Sequence, residues 1–320
     1  MRSSFLVVNL MVLCSVVGIA QESASPQTMT NSIGMEFVLI QPGSMQVGVF
    51  KPECPDPNAA PLSFPSAPAR KTDGAATRNA PAPRTPLPAR DPRAAWTQAD
   101  YTKCAELVKE DTSDGFPIKI GKSYFIGKYE VTQGQWQRVI EKNPSVFRGD
   151  KVTDDAQQHP VENITWEDAQ AFVKKLNALE KTNAYHLPNE FQWEYACRAG
   201  GSGQQSWEYI RQTAVQGVAG FGAGAAAGAQ APKRPTTATV GSKQPNAWGI
   251  YDMLGNVWEW VEDPYNGKIF ADSTPPKSGP EHVLKGGGFL SDLKNTICAT
   301  HGAGPGDRWD VGFRVAKDSR

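Results

Sequence analysis

The sequence lacks any excess of charge. Its 33 Lys and Arg balance 33 Asp and Glu, and the net charge is +0 with His neutral. A surface without a dominant sign gives no electrostatic pull toward nucleic acid or an anionic membrane. Long apolar runs are also scarce. Only residues 5–20 form one, which excludes a polytopic membrane protein. The composition fits neither collagen nor a coiled coil. No nucleophile elbow, phosphate loop or zinc-spaced Cys/His pattern occurs. Hydrophobic content is low at 39%, whereas 30 Gly and 25 Pro are many. That balance predicts a loop-rich fold with some disorder rather than a helical bundle. Nine Trp supply large apolar area for a core poor in regular structure.

Residues 1–20 read as a secretory signal peptide. Arg2 starts the segment, the apolar run follows, and Gly18-Ile19-Ala20 precede Gln21. The alternative is a retained N-terminal membrane anchor. Cys14 is a poor match to a lipoprotein box. Cleavage would remove Arg2 and no acid, so the mature charge is 32 − 33 = −1. It would leave Cys54, Cys104, Cys197 and Cys298, an even count suited to two disulfides in an exported, periplasmic or secreted protein.

Residues 21–30 read as a polar spacer. A strand is expected over residues 35–40, closed by a turn at Pro42-Gly43. Ten prolines crowd the 38 residues 55–92. Such a stretch buries too little apolar surface to offset its ordering entropy, so a disordered Pro/Ala-rich insertion is expected at about 55–95. A linker between two domains is the alternative. Cys54 and Cys104 flank the stretch, and a Cys54–Cys104 disulfide would pin its base. Residues 124–131 read as a strand running into a helix, with Thr132 as N-cap and Trp136, Val139 and Ile140 as the apolar stripe. Thr165 and Asp168 stand in capping-box positions ahead of Ala169, Phe172, Val173, Leu176 and Leu179 at helical spacing. A third helix begins near Asn189, carries Trp193, Tyr195 and Ala196, and ends near Gly200-Gly201. The Gly/Ala-rich residues 217–231 read as a flexible loop.

The ordered series of motifs resembles the formylglycine-generating enzyme (sulfatase-modifying factor) family. Its blocks are Ile33-Gly34-Met35-Glu36-Phe37, Gly127-Lys128-Tyr129-Glu130-Val131-Thr132 and His159-Pro160-Val161-Glu162-Asn163-Ile164-Thr165-Trp166. They continue with Leu187-Pro188-Asn189-Glu190, Trp193-Glu194-Tyr195, Cys197-Arg198, and Gly249-Ile250-Tyr251-Asp252-Met253 through Trp258-Glu259-Trp260. Lys285-Gly286-Gly287 and Gly312-Phe313-Arg314 close the series. The resemblance implies one α+β, C-type-lectin-like, loop-rich domain over residues 31–317, interrupted by the insertion. It also implies that Cys197 and Cys298 form a structural disulfide; a reactive Cys298 thiol is the alternative.

Formylglycine-generating relatives oxidise a substrate cysteine with oxygen at copper, held by two thiolates just beyond a Gly-Gly-Ser segment. Copper(I) favours soft sulfur ligands, so both thiolates are needed together. Here Gly288 replaces that serine, Ser291 stands at the first catalytic cysteine, and no cysteine lies between 293 and 296. Copper is therefore not expected, and the chain reads as a pseudoenzyme. His301 falls where the family carries an active-site Arg. With Asp292, Lys294 and Asp307 it is a candidate for altered acid–base chemistry, against a reading of solvated loop residues.

The resemblance further implies a calcium site from Asp252 and Glu259 side chains with Gly255 and Val257 carbonyls, a hard-oxygen set suited to that ion. The alternative is a buried Glu259 paired with an Arg such as Arg314. A second family calcium loop would fall in residues 217–231, which hold no acid, so its loss is expected. The sequence thus predicts an exported binding or structural module for a peptide, glycan or protein partner. Trp258, Phe289 and Trp309 are its candidate surface. An oxidoreductase or other enzyme modifying a peptide or protein is the alternative.

Overall fold

A computed structural model describes residues 26–50, 113–201, 207–215, 236–265, 276–291, 296–304 and 308–319, with positions 98, 102, 106 and 274. The signal segment, Cys54, Cys104, the insertion and residues 217–231 lie outside the described residues.

The first strands and the last one share a sheet. Strands β1 (Thr28–Thr30), β2 (Glu36–Ile40), β5 (Tyr124–Gly127), β11 (Ala316–Asp318) and β6 (Tyr185–His186) lie in that order, all antiparallel. Strand β1 corrects one boundary, because it sits inside the segment read as a polar spacer. Met29 explains it: this one apolar residue pairs with Phe37 and packs on the core. The domain also runs on past 317, to Asp318 of β11.

Strands β3 (Gly43–Val47) and β4 (Phe116–Ile120) form a separate hairpin-like pair. The third sheet carries the Gly-rich segment. Its order is β10 (Val311–Phe313), β7 (Trp258–Pro264), β8 (His282–Lys285) and β9 (Gly302–Gly304), with β10 parallel to β7.

Four helices are described: α1 (Gln133–Val139), α2 (Trp166–Leu179), α3 (Glu190–Cys197) and α4 (Trp207–Thr213). The first three start where the sequence indicates. Thr132, Thr165 and Asn189 accept from the N3 amides, and the Gln135, Asp168 and Gln192 side chains return the bond. Each cap is worth about 1 kcal/mol.

Trp residues tie these elements into two buried clusters. Trp136 of α1 stacks on Phe172 of α2 at 5.4 Å, and both meet Phe313 edge-on. Trp193 of α3 is fully buried in the other cluster, with Val283, Met253 and Cys298. The expected Cys197–Cys298 disulfide is formed, with Cα atoms 5.7 Å apart and both residues completely buried. It fastens the end of α3 to the chain that follows the Gly-rich segment.

Candidate functional site

The Gly-rich turn after β8 is held from beneath by charge. Lys285 is wholly buried, and its Nζ lies 3.2 Å from Glu190 Oε1 and 3.3 Å from Glu194 Oε2. Arg198 balances Glu194 at 2.7 Å. Gly286 and Gly287 then turn with φ of 85° and 78°, which L side chains resist. A Cβ at Gly286 would also sit 3.1 Å from the Trp193 ring.

At the top of the turn the chain closes on itself. The Gly288 amide donates to the Ser291 hydroxyl at 2.9 Å, and the Ser291 amide donates to the Gly288 carbonyl at 2.9 Å. Trp258 fills the adjoining space: a Cβ at Gly288 would meet its Cδ1 at 3.0 Å and the Asp310 carbonyl at 3.3 Å. Ser291 is thus spent on the turn.

Next to the turn stand three rings. Phe289 packs edge-on against Phe147 at 5.2 Å, and Trp309 leans on both, at 5.7 and 5.8 Å. Trp309 is 44% exposed and Leu290 is 45% exposed, while Phe289 is buried. Of the three aromatic candidates, Phe289 and Trp309 come together. Trp258 instead lies between Gly288 and Gly302 as flooring. Phe147 completes the cluster and escaped the sequence reading; its signal is the Asn143-Pro144-Ser145 turn just before it.

Glu162 places Phe147. Its Oε1 accepts the Phe147 amide at 2.8 Å inside the protein. Burial lifts this carboxyl to about 7, against backbone donors at Phe147 and Val146 and the charges of Lys151 and Arg148. Its other oxygen is buried with no hydrogen-bond partner among the described residues.

His301 belongs to a different group. Its Nδ1 lies 2.7 Å from Glu190 Oε1, and its ring stacks on Tyr265 at 4.7 Å. Burial acts to raise the Glu190 carboxyl. The charge of Lys285 and the bond to His301 outweigh it and hold Glu190 below its ordinary value. Asp263, which accepts the Glu190 amide, is pushed by burial to about 6. Asp292, Lys294 and Asp307 lie outside the described residues.

The presumed calcium motif is built around a guanidinium. Arg314 donates to both oxygens of Glu259 at 2.6 Å, and the Trp193 indole donates to Glu259 Oε2 at 2.7 Å. This is the pairing that the sequence left as the alternative. Asp252, with φ of 55°, accepts the Gly241 amide through Oδ2. Its Oδ1 is buried with no hydrogen-bond partner among the described residues. Glu130, also missed, joins the group through Asn256 Nδ2 at 2.6 Å and the Val257 amide at 3.2 Å. Burial first, then the Asp252 and Glu259 charges, pushes the Glu130 carboxyl well above its ordinary value. The donors therefore divide: Asp252 retains an oxygen suited to a hard cation, whereas Glu259 is committed to Arg314.

A family model described as the sulfatase-modifying factor enzyme 1-like domain matches residues 102–319, more than half of the chain. The chain belongs to this family. Family relatives match at similar levels. The chaperone protein LppX of Paenibacillus barcinonensis is 29% identical over 245 residues, 61% of this chain and 80% of that protein. The formylglycine-generating enzyme of Bos taurus is 30% identical over 177 residues, 50% of this chain. The match spans only 44% of the bovine enzyme's length. Among solved structures, Treponema denticola variable protein 1 aligns with a TM-score of 0.55 at 27% identity, over 65% of this chain and 90% of that one. PvdO from Pseudomonas aeruginosa aligns at 0.58 and 17% identity, over 92% and 99%, which speaks for the fold alone. The family's fold is α+β and loop-rich, as expected from the motifs.

Proposed function

We propose that this protein is an exported binding module of the sulfatase-modifying factor family, and that it does not make formylglycine. The observation that carries the reading is the Gly288–Ser291 turn. By the family resemblance Ser291 falls where the first copper-binding thiolate would stand, and its hydroxyl accepts a backbone amide. Trp258 takes up the space beside Gly288 that a family serine would need. Cys197 and Cys298 are joined to each other. The name of the LppX relative, a chaperone, agrees with a protein-binding role. Export agrees with the disulfide and with the apolar residues 5–20. Among the described residues no helix is long and apolar enough to cross a membrane.

The partner is a peptide or protein segment that covers Trp309 and Leu290, the two exposed apolar side chains beside the buried Phe289. Peptides selected by display on the mature protein should lose binding to Trp309→Ala while the variant remains folded by circular dichroism. Ligands indifferent to Trp309→Ala contradict this surface.

Calcium is a second part of the proposal. Asp252 Oδ1, with the Gly255 and Val257 carbonyls, would hold the ion and brace the turn; Glu259 would have to share its carboxylate with Arg314. Calcium should raise the melting temperature of the wild type and leave Asp252→Ala unmoved. Equal behaviour of the two proteins removes calcium from the account.

A further inference from the structure

A groove of mixed polar and apolar lining runs along the outer face of α2, away from the Gly288–Ser291 turn and the Trp309 cluster. It encloses about 640 Å³, within the usual range of ligand sites. The helix contributes Gln170, Lys174, Asn177 and Ala178, the turn after it Lys181 and Thr182, and β6 its edge. None of these positions touches the Ser291 or Trp309 cluster.

The groove is preformed. The α2 capping box fixes one end. At the other end Lys181 adopts φ of 52°, the Thr182 amide donates to the Asn177 carbonyl, and Glu180 accepts from Ser32. The open edge of β6 is closed by Asn177, whose side chain donates to the Tyr185 carbonyl at 2.8 Å and accepts the Tyr185 amide at 3.0 Å. These two hydrogen bonds occupy the main-chain groups that an added peptide strand would use.

The charges point the same way. Lys174 and Lys181 both line the groove, and neither has an ion pair among the described residues. Lys174 stands on the exposed face of α2 and Lys181 in the turn just beyond the helix end, so both lie along the same side of the groove. His186 of β6 faces the Asp318 carboxylate at 3.6 Å, and Glu262 is the one carboxylate in the lining. Gln170, Thr182 and Asn183 offer amide and hydroxyl groups that both donate and accept.

We infer that this groove binds an acidic oligosaccharide, its carboxylates on Lys174 and Lys181, its hydroxyls on the flanking amides and its ring faces on the apolar part of the lining. A peptide added as a strand is the poorer fit, because Asn177 already takes the Tyr185 main-chain groups at that edge. The inference stands independently of the Trp309 surface.

The test is calorimetric titration of the mature full-length protein with short oligogalacturonides. Binding should weaken as salt rises and fall at least about tenfold in Lys174→Gln/Lys181→Gln, with melting temperature unchanged, since both lysines are exposed. Uncharged malto-oligosaccharides should not bind. Unchanged affinity in the double variant overturns the site, and so does the absence of any oligogalacturonide binding. Equal binding of polyglutamate overturns the assignment to a glycan. Trp309→Ala should leave this binding intact.

Discussion

The Ser291 hydroxyl accepts the Gly288 amide at 2.9 Å, so this side chain serves the backbone of the Gly-rich turn. Substituting Ser291→Cys supplies one thiol and breaks that turn bond. The variant should bind copper(I) no better than the wild type when both are titrated against a chromogenic chelator. Stoichiometric, tight copper in Ser291→Cys would mean that a second soft ligand lies within reach.

Restoring the family serine nearby should be harmful. A Cβ at Gly288 falls 3.0 Å from Trp258 and 3.3 Å from the Asp310 backbone, and Trp258 is wedged against Gly302 behind it. Gly288→Ser should lower unfolding stability by about 1–3 kcal/mol in urea titrations, the usual cost of overpacking. A neutral result would show that Trp258 moves freely.

The Glu259–Arg314 pair predicts a larger loss. Both side chains are essentially inaccessible, and Arg314 has no other carboxylate bonded to it among the described contacts. Glu259→Gln leaves a buried guanidinium undercompensated and should cost about 3–5 kcal/mol. Circular dichroism during denaturant unfolding reads this directly.

The disulfide should behave as structure rather than chemistry. Cys197 and Cys298 close a loop with a separation of 101 residues. Cys298→Ala should cost about 2–5 kcal/mol. Non-reducing peptide mapping of the wild type should return the two cysteines joined, and a free thiol at either would contradict the pairing.

Glu162 contributes to the pH dependence, beside Asp252 and Asp263, which burial pushes to about 6. The Glu162 carboxyl titrates at about 7 in the fold, against an ordinary 4.5. The folded state therefore binds more protons between those values. Its contribution to stability is complete below about 4.5 and is lost as pH rises through 7, by up to about 3 kcal/mol at 1.36 kcal/mol per unit. Glu162→Gln should flatten the stability profile between pH 5 and 8 (a span of about three units). A slope unchanged by the substitution would place the titrating group elsewhere.

Most local structure was legible because it is written in short-range chemistry. Thr132, Thr165 and Asn189 each announce a helix through a residue three positions on, and each cap is formed. Strand β1 was not legible, since Thr28 and Thr30 are polar and only Met29 faces the core. Phe147, Glu162 and Glu130 were missed for one physical reason. Each acquires its role from partners far along the chain, such as Phe289 and Val257, and no periodicity encodes such contacts. The Lys174–Lys181 groove was hidden likewise, because a solvated helix face looks the same until β6 closes beside it.

The claim that this family member binds rather than oxidises has one direct test. The mature protein is incubated with a Cys-x-Pro-x-Arg peptide, copper and oxygen, and the peptide is followed by mass spectrometry. The account predicts that the cysteine survives unchanged, apart from ordinary disulfide formation. Catalytic conversion of that cysteine to the aldehyde would contradict it.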